Sequence, residues 1–162
     1  MKKRERSSGA AASPRFVVDT NVIVSALKTL QRKPRDAGIN SLSLLVRLIV
    51  DSGIELFGNQ ILLLEYQRFV EELNSDVSTQ ILKELTVKVQ LVEIPDDALR
   101  RCLGFFSERD AKDVFHAATC LVTGAVLITN DRDFDRVGEA GLIEVWSISE
   151  AIRKLWVRES RK

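Results

Sequence analysis

Phe16, Val17 and Val18 form an unbroken apolar run with two β-branched members, the pattern of a strand covered on both faces of a parallel sheet rather than the alternation of a half-exposed one. The run ends at Asp19, and residues 22–27 fit a first helix. Behind a surface loop at 31–38 that contains Pro34, Asn40 or Ser41 can cap a helix in which Leu42, Leu45, Val46 and Ile49 recur at helical spacing, with Gly53 as its stop. The pattern then predicts a strand at 54–57, helices at about 60–72 and 76–90, and a strand at 91–94 closed by Pro95. A strong helix follows at 110–122, then a buried strand at 125–129, a last strand at 143–146 and a helix at 149–157. Alternation sustained this long predicts an α/β fold: a single domain with a central, mainly parallel sheet flanked by helices on both faces.

Length agrees, since 162 residues of which 45% are hydrophobic make one globular domain and leave no room for a second. Residues 1–14, basic and rich in Ser, Gly and Ala, read as a disordered tail, 15–158 as the folded domain and 159–162 as a C-terminal tail. No apolar stretch reaches the roughly 20 residues of a membrane span, and the N-terminal segment lacks the apolar centre of a secretory signal, so a cytoplasmic protein is expected. Cys102 and Cys120 have no partner at metal-ligand spacing and read as reduced, buried thiols.

The net charge of +1 changes little by itself, but it can hide segregated signs. Lys2, Lys3, Arg4 and Arg6 open the chain; Lys28, Arg32, Lys33 and Arg35 cluster around the first loop; Arg153, Lys154, Arg158, Arg161 and Lys162 crowd the end. A pocket that gathered several acids would leave a basic surface around it, although a solvated basic face explains the same residues.

The acids carry the functional signal. Open α/β sheets bind ligands at the carboxyl ends of their strands, where the strand order reverses. Asp19 follows the first strand directly, and Asp131 comes two residues after the strand ending at Thr129. Each also has a plainer role as the cap of a helix or turn. Glu65 interrupts an apolar helix face between Ile61 and Leu62 on one side and Phe69 on the other; it needs a cation, an ion pair with Arg68, or a rotation that leaves it wet. Asp113 sits in the first turn of its helix, where Asp110 and Asp113 resemble a capping box, yet the small Ala117 and Ala118 let that helix approach the sheet closely. His116 reads as a packing or supporting residue. Four acids converging on one edge repel one another unless a hard cation, Mg2+ or Mn2+, sits among them, and the absence of a Cys or His cluster argues against zinc.

Four segments together resemble a known family. Phe16-Val17-Val18-Asp19-Thr20-Asn21-Val22 is similar to the opening motif of PIN domains, Leu64-Glu65-Tyr66 to their helix-borne glutamate, Asp113 to Thr119 to their third acidic motif, and Thr129-Asn130-Asp131-Arg132-Asp133-Phe134 to the fourth. Among branches, the chain looks most like prokaryotic PIN proteins regarded as toxins of toxin-antitoxin pairs. The resemblance implies a divalent-metal ribonuclease that hydrolyses RNA phosphodiester bonds with a metal-activated water, leaving a 5′-phosphate and a 3′-hydroxyl. Asp19, Glu65, Asp113 and Asp131 would be the catalytic, metal-binding acids, with Asp133 a further metal-site acid. Thr20, Asn21, Asp110 and Thr129 would support them, and Lys28, Arg109, Lys112 and Arg132 would position the RNA backbone. A cognate antitoxin and a homodimer are the implied partners, with the helices near Leu42 and Ile61 as candidate dimer surfaces.

Two other classes compete. A phosphotransfer domain would need further residues: a haloacid-dehalogenase-like phosphatase wants a second Asp two residues after Asp19, where Asn21 stands, and a receiver wants a phospho-accepting Asp and a later Lys that the sequence does not offer. A degenerate PIN fold acting as a scaffold or interaction module is disfavoured by the complete set of acids.

Overall fold

A computed structural model of the chain describes residues 12–31 and 39–160, apart from the side chains of 158 and 159. Most of the proposed basic tail and first loop, with Lys2, Lys3, Arg4, Arg6, Arg32, Lys33 and Arg35, therefore lies outside the described residues, as do Arg161, Lys162 and the side chain of Arg158.

The chain opens with β1 (Arg15–Val18) and runs straight into α1 (Thr20–Leu30), so the first helix is longer at both ends than its apolar periodicity suggests. Asp19 is the reason at the amino end: its carboxylate takes the N–H of Thr20 and starts the helix one residue after the strand. Next come α2 (Ser41–Val50), capped by Asn40, then β2 (Glu55–Gly58) and α3 (Gln60–Leu73), capped by Asn59. α4 (Asp76–Lys88) leads into β3 (Val89–Leu91) without a loop. The sequence pattern places this strand at 91–94; the chain instead pairs from Val89, and Val92 adds one more bond to Gly58. β3 is a short edge strand with little burial, so the apolar pattern carries weak register information there.

α5 (Asp96–Leu103) was not visible in the pattern, because only Ala98 and Cys102 of its eight residues are buried. α6 (Ala111–Thr123), β4 (Val126–Ile128), α7 (Asp135–Glu139), β5 (Val145–Trp146) and α8 (Ile148–Glu159) complete the fold. The last strand is shorter than the expected 143–146; Ile143 is buried but does not pair.

All five strands pair in parallel in the order β3-β2-β1-β4-β5. The chain builds outward from β1 in one direction, returns past it and builds outward in the other, which puts the topological switch between β1 and β4. Their register sets Val18 beside Ile128, and the N–H of Asp19 donates to the Ile128 carbonyl at 3.0 Å. Asp19 and Thr129 are therefore neighbours at the carboxyl ends of the two central strands. Phe16, Val17 and Val18 are all buried, as expected for a strand covered on both faces, and Ala117 and Ala118 let α6 lie close on β1, β2 and β4. Cys102 and Cys120 are free and buried. Among the described residues no helix is long and apolar enough to cross a membrane.

α3 is tied to the same strand end by Tyr66, whose buried hydroxyl donates to the carbonyl of Val18. This contact fixes the rotation of α3 about its axis and carries the preceding residue, Glu65, to the edge of the switch crevice. Tyr66→Phe keeps the ring and deletes the bond, so equilibrium denaturation is expected to show a loss of about 1–2 kcal/mol, the usual scale for a buried hydrogen bond with a stranded partner; unchanged stability would remove Tyr66 from this role.

Candidate active site at the switch between the central strands

Asp19 is only 7% exposed, and both of its carboxylate oxygens are engaged. Oδ1 takes the Thr20 N–H at 2.8 Å, and Oδ2 takes the Thr129 hydroxyl at 2.7 Å. Thr129 is a hub, because its oxygen also accepts from the Asn21 amide at 3.2 Å and from the backbone N–H of Asp131 at 3.0 Å. The strand end, the first helix and the turn carrying Asp131 thus meet on one hydroxyl. Asp131 in turn takes the N–H of Asp133 at 2.9 Å, so the capping role open to it is real, and its remaining carboxylate oxygen is left for other partners. The same holds for Asp19: cap and site residue are compatible, since one oxygen caps and the other faces Thr129.

Glu65 arrives from α3. Its Oε2 accepts from the Thr20 hydroxyl at 2.7 Å, His116 Nε2 lies 3.4 Å from the same oxygen, and Lys112 Nζ lies 4.0 Å from Oε1. Arg68, the alternative ion-pair partner, turns instead to Glu72 at 3.6 Å. Burial acts to raise the Glu65 pKa, but His116, the Thr20 hydroxyl and Lys112 together outweigh it and hold the carboxyl below its ordinary value.

The other acids are shifted the opposite way. Burial raises Asp19 more than Thr129 and Thr20 lower it. Asp113 is pushed from 3.8 to about 7, chiefly by burial and then by the charges of Asp19, Asp131 and Asp110. Exposed Asp133 is raised by Asp131 and Asp110. Asp113 does not form the capping box its spacing allows, for Asp110 makes no side-chain cap and instead accepts from Ser107 at 2.6 Å.

One ligand atom each from Asp19, Glu65 and His116 lies within 4.8 Å of the others, and so do atoms of Asp110, Asp113 and Asp133. The donors are mainly carboxylate oxygens, with one imidazole, in two groups in partly buried to exposed surroundings, and their negative charge is only partly offset by Lys112 and His116. That chemistry fits a hard divalent cation with few protein ligands and several waters.

Of the four cations assigned to the RNA backbone, Lys112 stands at the site and is 66% exposed at its side chain. Arg109 is exposed next to Asp110, and Arg132 lines a cleft of about 490 Å3 that opens beside Asp131 and Thr129. Lys28 sits in the last turn of α1, about 13 Å of helix rise from its Asp19 cap, and the fold does not bring it to the acids. Sequence reasoning missed Asn59. Its buried amide donates to Thr119 Oγ1 at 3.0 Å and approaches His116 Nδ1 at 3.2 Å, while its Oδ1 caps α3 through Leu62 N at 2.9 Å. An Asn directly before a helical run is a cap signal that was there to be used.

The PIN domain family model matches residues 16–140, and the chain belongs to that family. Solved structures share the fold at low identity. PAE2754 from Pyrobaculum aerophilum superposes with a TM-score of 0.54 at 15% identity, covering 94% of this chain and 100% of its own. VapBC-1 from nontypeable Haemophilus influenzae gives 0.53 at 18% identity, covering 83% of this chain and 98% of its own. VapBC2 from Rickettsia felis, bound to a DNA fragment from their promoter, gives 0.52 at 16%, covering 82% and 98%. No curated protein matches the sequence.

Asp113 yields a test of the crowding. A carboxyl whose folded pKa lies near 7 and whose unfolded pKa lies near 3.8 stabilises the fold fully below pH 3.8, and that contribution is lost as pH rises through 7. In metal-free protein, Asp113→Asn is therefore expected to raise the melting temperature at pH 8 by roughly 2–4 °C, a shift of the size that about 1 kcal/mol produces in a domain of this length. At pH 3.5 the variant and the parent should coincide. A variant that melts below the parent at pH 8 would show that neither burial nor acidic neighbours destabilise ionised Asp113.

Proposed function

We propose that this chain is a divalent-metal-dependent endoribonuclease, acting as the toxin of a toxin-antitoxin pair in the cytoplasm. The observation that carries this reading is the gathering of Asp19, Glu65, Asp113 and Asp131 around the β1–β4 switch, with Asp113 raised to about 7 by burial and, after it, by its acidic neighbours. Mutual repulsion of this kind is retained where a cation relieves it. Membership of the PIN family supports nuclease chemistry, and the VapBC assemblies among the structural neighbours support a cognate antitoxin.

In this reading Asp19, Glu65, Asp113 and Asp131 hold Mg2+ or Mn2+, and Asp133 and Asp110 extend the acidic edge. A divalent cation held there supplies Lewis acidity toward water and phosphate oxygens. The remaining work falls to the chain. Thr129 and Thr20 fix the carboxylates of Asp19 and Glu65 through their hydroxyls, and Asn21 holds Thr129 from behind. Lys112, exposed beside Glu65, meets an incoming phosphodiester, with Arg109 exposed next to Asp110 and Arg132 exposed next to Asp131. Binding should therefore weaken with salt. Cleavage would leave a 5′-phosphate and a 3′-hydroxyl, the polarity that the resemblance to PIN nucleases implies, in which water attacks the phosphorus and O3′ departs and takes up a proton.

A homodimer belongs to the same proposal. α2 exposes Val46 and Val50, and α3 exposes Leu64, the surfaces available for pairing. Light scattering is expected to give twice the chain mass, and a strictly monomeric profile would count against it.

Asp19→Asn is the direct test of the enzyme. The amide still caps α1, so circular dichroism should be unchanged. Mg2+-dependent cleavage of single-stranded RNA is expected to fall by about 100-fold or more, the scale seen when one preorganised electrostatic partner is removed. Cleavage by the variant at the parent rate would overturn the assignment.

A further inference from the structure

His116 is the one histidine of the chain. It is 1% exposed, one helical turn from Asp113, and its ring stands between Asn59 and Glu65. Its place within 4.8 Å of oxygens of Asp19 and Glu65 makes it look like a metal ligand. The hydrogen bonds behind it say otherwise.

The orientation of the Asn59 amide is settled from two sides. Oδ1 must accept the Leu62 N–H, which is the cap of α3. Nδ2 must face Thr119 Oγ1, whose own hydrogen is committed to the Phe115 carbonyl at 2.7 Å. Turning the amide over would set N–H against N–H at Leu62 and oxygen against oxygen at Thr119. Asn59 therefore presents a donor to His116 Nδ1, and Nδ1 must be the unprotonated nitrogen of the ring. The ring proton then sits on Nε2. Nε2 is buried and makes no hydrogen bond of regular geometry, and the carboxylate oxygen paired with it is Oε2 of Glu65, 3.4 Å away. A metal ligand needs a lone pair at Nε2, and a ring with a lone pair at both nitrogens is an imidazolate, which nothing here stabilises.

We infer that His116 is a positioning residue and not a metal ligand: Asn59 holds it in the Nε2–H tautomer, and it donates to Oε2 of Glu65. With the Thr20 hydroxyl on the same oxygen, Oε2 is satisfied twice. Oε1, which has only the flexible Lys112 at 4.0 Å, is left as the oxygen that meets the cation. The chain from the helix cap of α3 to the free oxygen of Glu65 thus selects one carboxylate oxygen for the site. The inference rests on the metal-nuclease reading for the purpose of Glu65, but not for the tautomer.

A single histidine makes the test direct. Long-range 1H–15N spectra of the untagged, metal-free protein should show one imidazole, with Nε2 in the protonated range and Nδ1 in the unprotonated range. Protonation at Nδ1 would overturn the inference. Asn59→Asp keeps a good helix cap but turns the donor facing Nδ1 into an acceptor, so Nδ1 should move to the protonated range; an unchanged spectrum would overturn the role of Asn59. Calorimetric titration with Mg2+ supplies the second arm. His116→Ala is expected to weaken binding by roughly 10-fold or more, the scale of losing a residue that orients a ligand. His116→Gln, which can donate from a similar position, should recover most of it. Equal affinities for the parent, the Ala variant and the Gln variant would leave His116 as packing only. If the predicted tautomer is found but RNA is not cleaved, the nuclease reading fails alone. If RNA is cleaved but Nδ1 carries the proton, this inference fails alone.

Discussion

Carboxylates at the carboxyl ends of adjacent parallel strands are held against their own repulsion, and the hydroxyl of Thr129 is where that restraint is applied. It donates to Asp19 and receives Asn21 and the backbone of Asp131, so β1, α1 and the turn after β4 cannot move apart without breaking it. The register of β1 on β4 sets this geometry, because Val18 beside Ile128 makes Asp19 and Thr129 the next pair. A slip of one residue would turn the slipped strand's side chain to the other face, part Asp19 from Thr129 and disperse the site. The site is thus a consequence of strand pairing, and the buried apolar run of β1 is what fixes the pairing.

This restraint has a thermodynamic cost that hydrogen bonds only partly offset. Asp19 remains raised although both of its oxygens are bonded, because burial outweighs them. Glu65 goes the other way, since it is less buried and lies among a hydroxyl, an imidazole and a lysine. Two carboxylates a few ångströms apart thus differ in environment, one destabilised as an anion and one stabilised. In the proposed metal reading, a cation entering between them would gain most from the first and find the second already ionised.

Much of this was legible in the chain. The unbroken run of Phe16, Val17 and Val18, the position of Asp19 after it and the misfit of Glu65 on an apolar face are local patterns, and the structure places those residues together. What local pattern does not encode is which partner a side chain chooses. Glu65 had Arg68 at helical spacing and took Thr20, 45 residues away, because α3 is turned by Tyr66. Asp113 had Asp110 for a capping box, and the Ser107 contact took Asp110 instead. Lys28 was near Asp19 in sequence but is separated from it by the length of α1. α5 escaped notice for a different reason: with Ala98 and Cys102 as its buried residues, its apolar stripe is too narrow to show a period, and its signal lies in charge, acidic at the start and basic at the end.

The acids divide by how they are held. Asp19 and Glu65 stand at the end of a strand and within a helix, and each accepts a threonine hydroxyl. Asp110 and Asp133 belong to 3₁₀ turns, Asp131 caps one, and Asp113 lies in the first turn of α6 among like charges. Regular elements with crossed hydrogen bonds resist displacement, whereas short turns held by local bonds yield more readily to a neighbouring charge. In the proposed metal reading, the inner pair would therefore define where a cation sits, and the outer acids would adjust around it. That division also explains why the buried polar network of Asn59, His116 and Thr119 lies behind Glu65 rather than behind Asp113: precision is built where the backbone can sustain it, and the outer acids are left to the electrostatics of their neighbours.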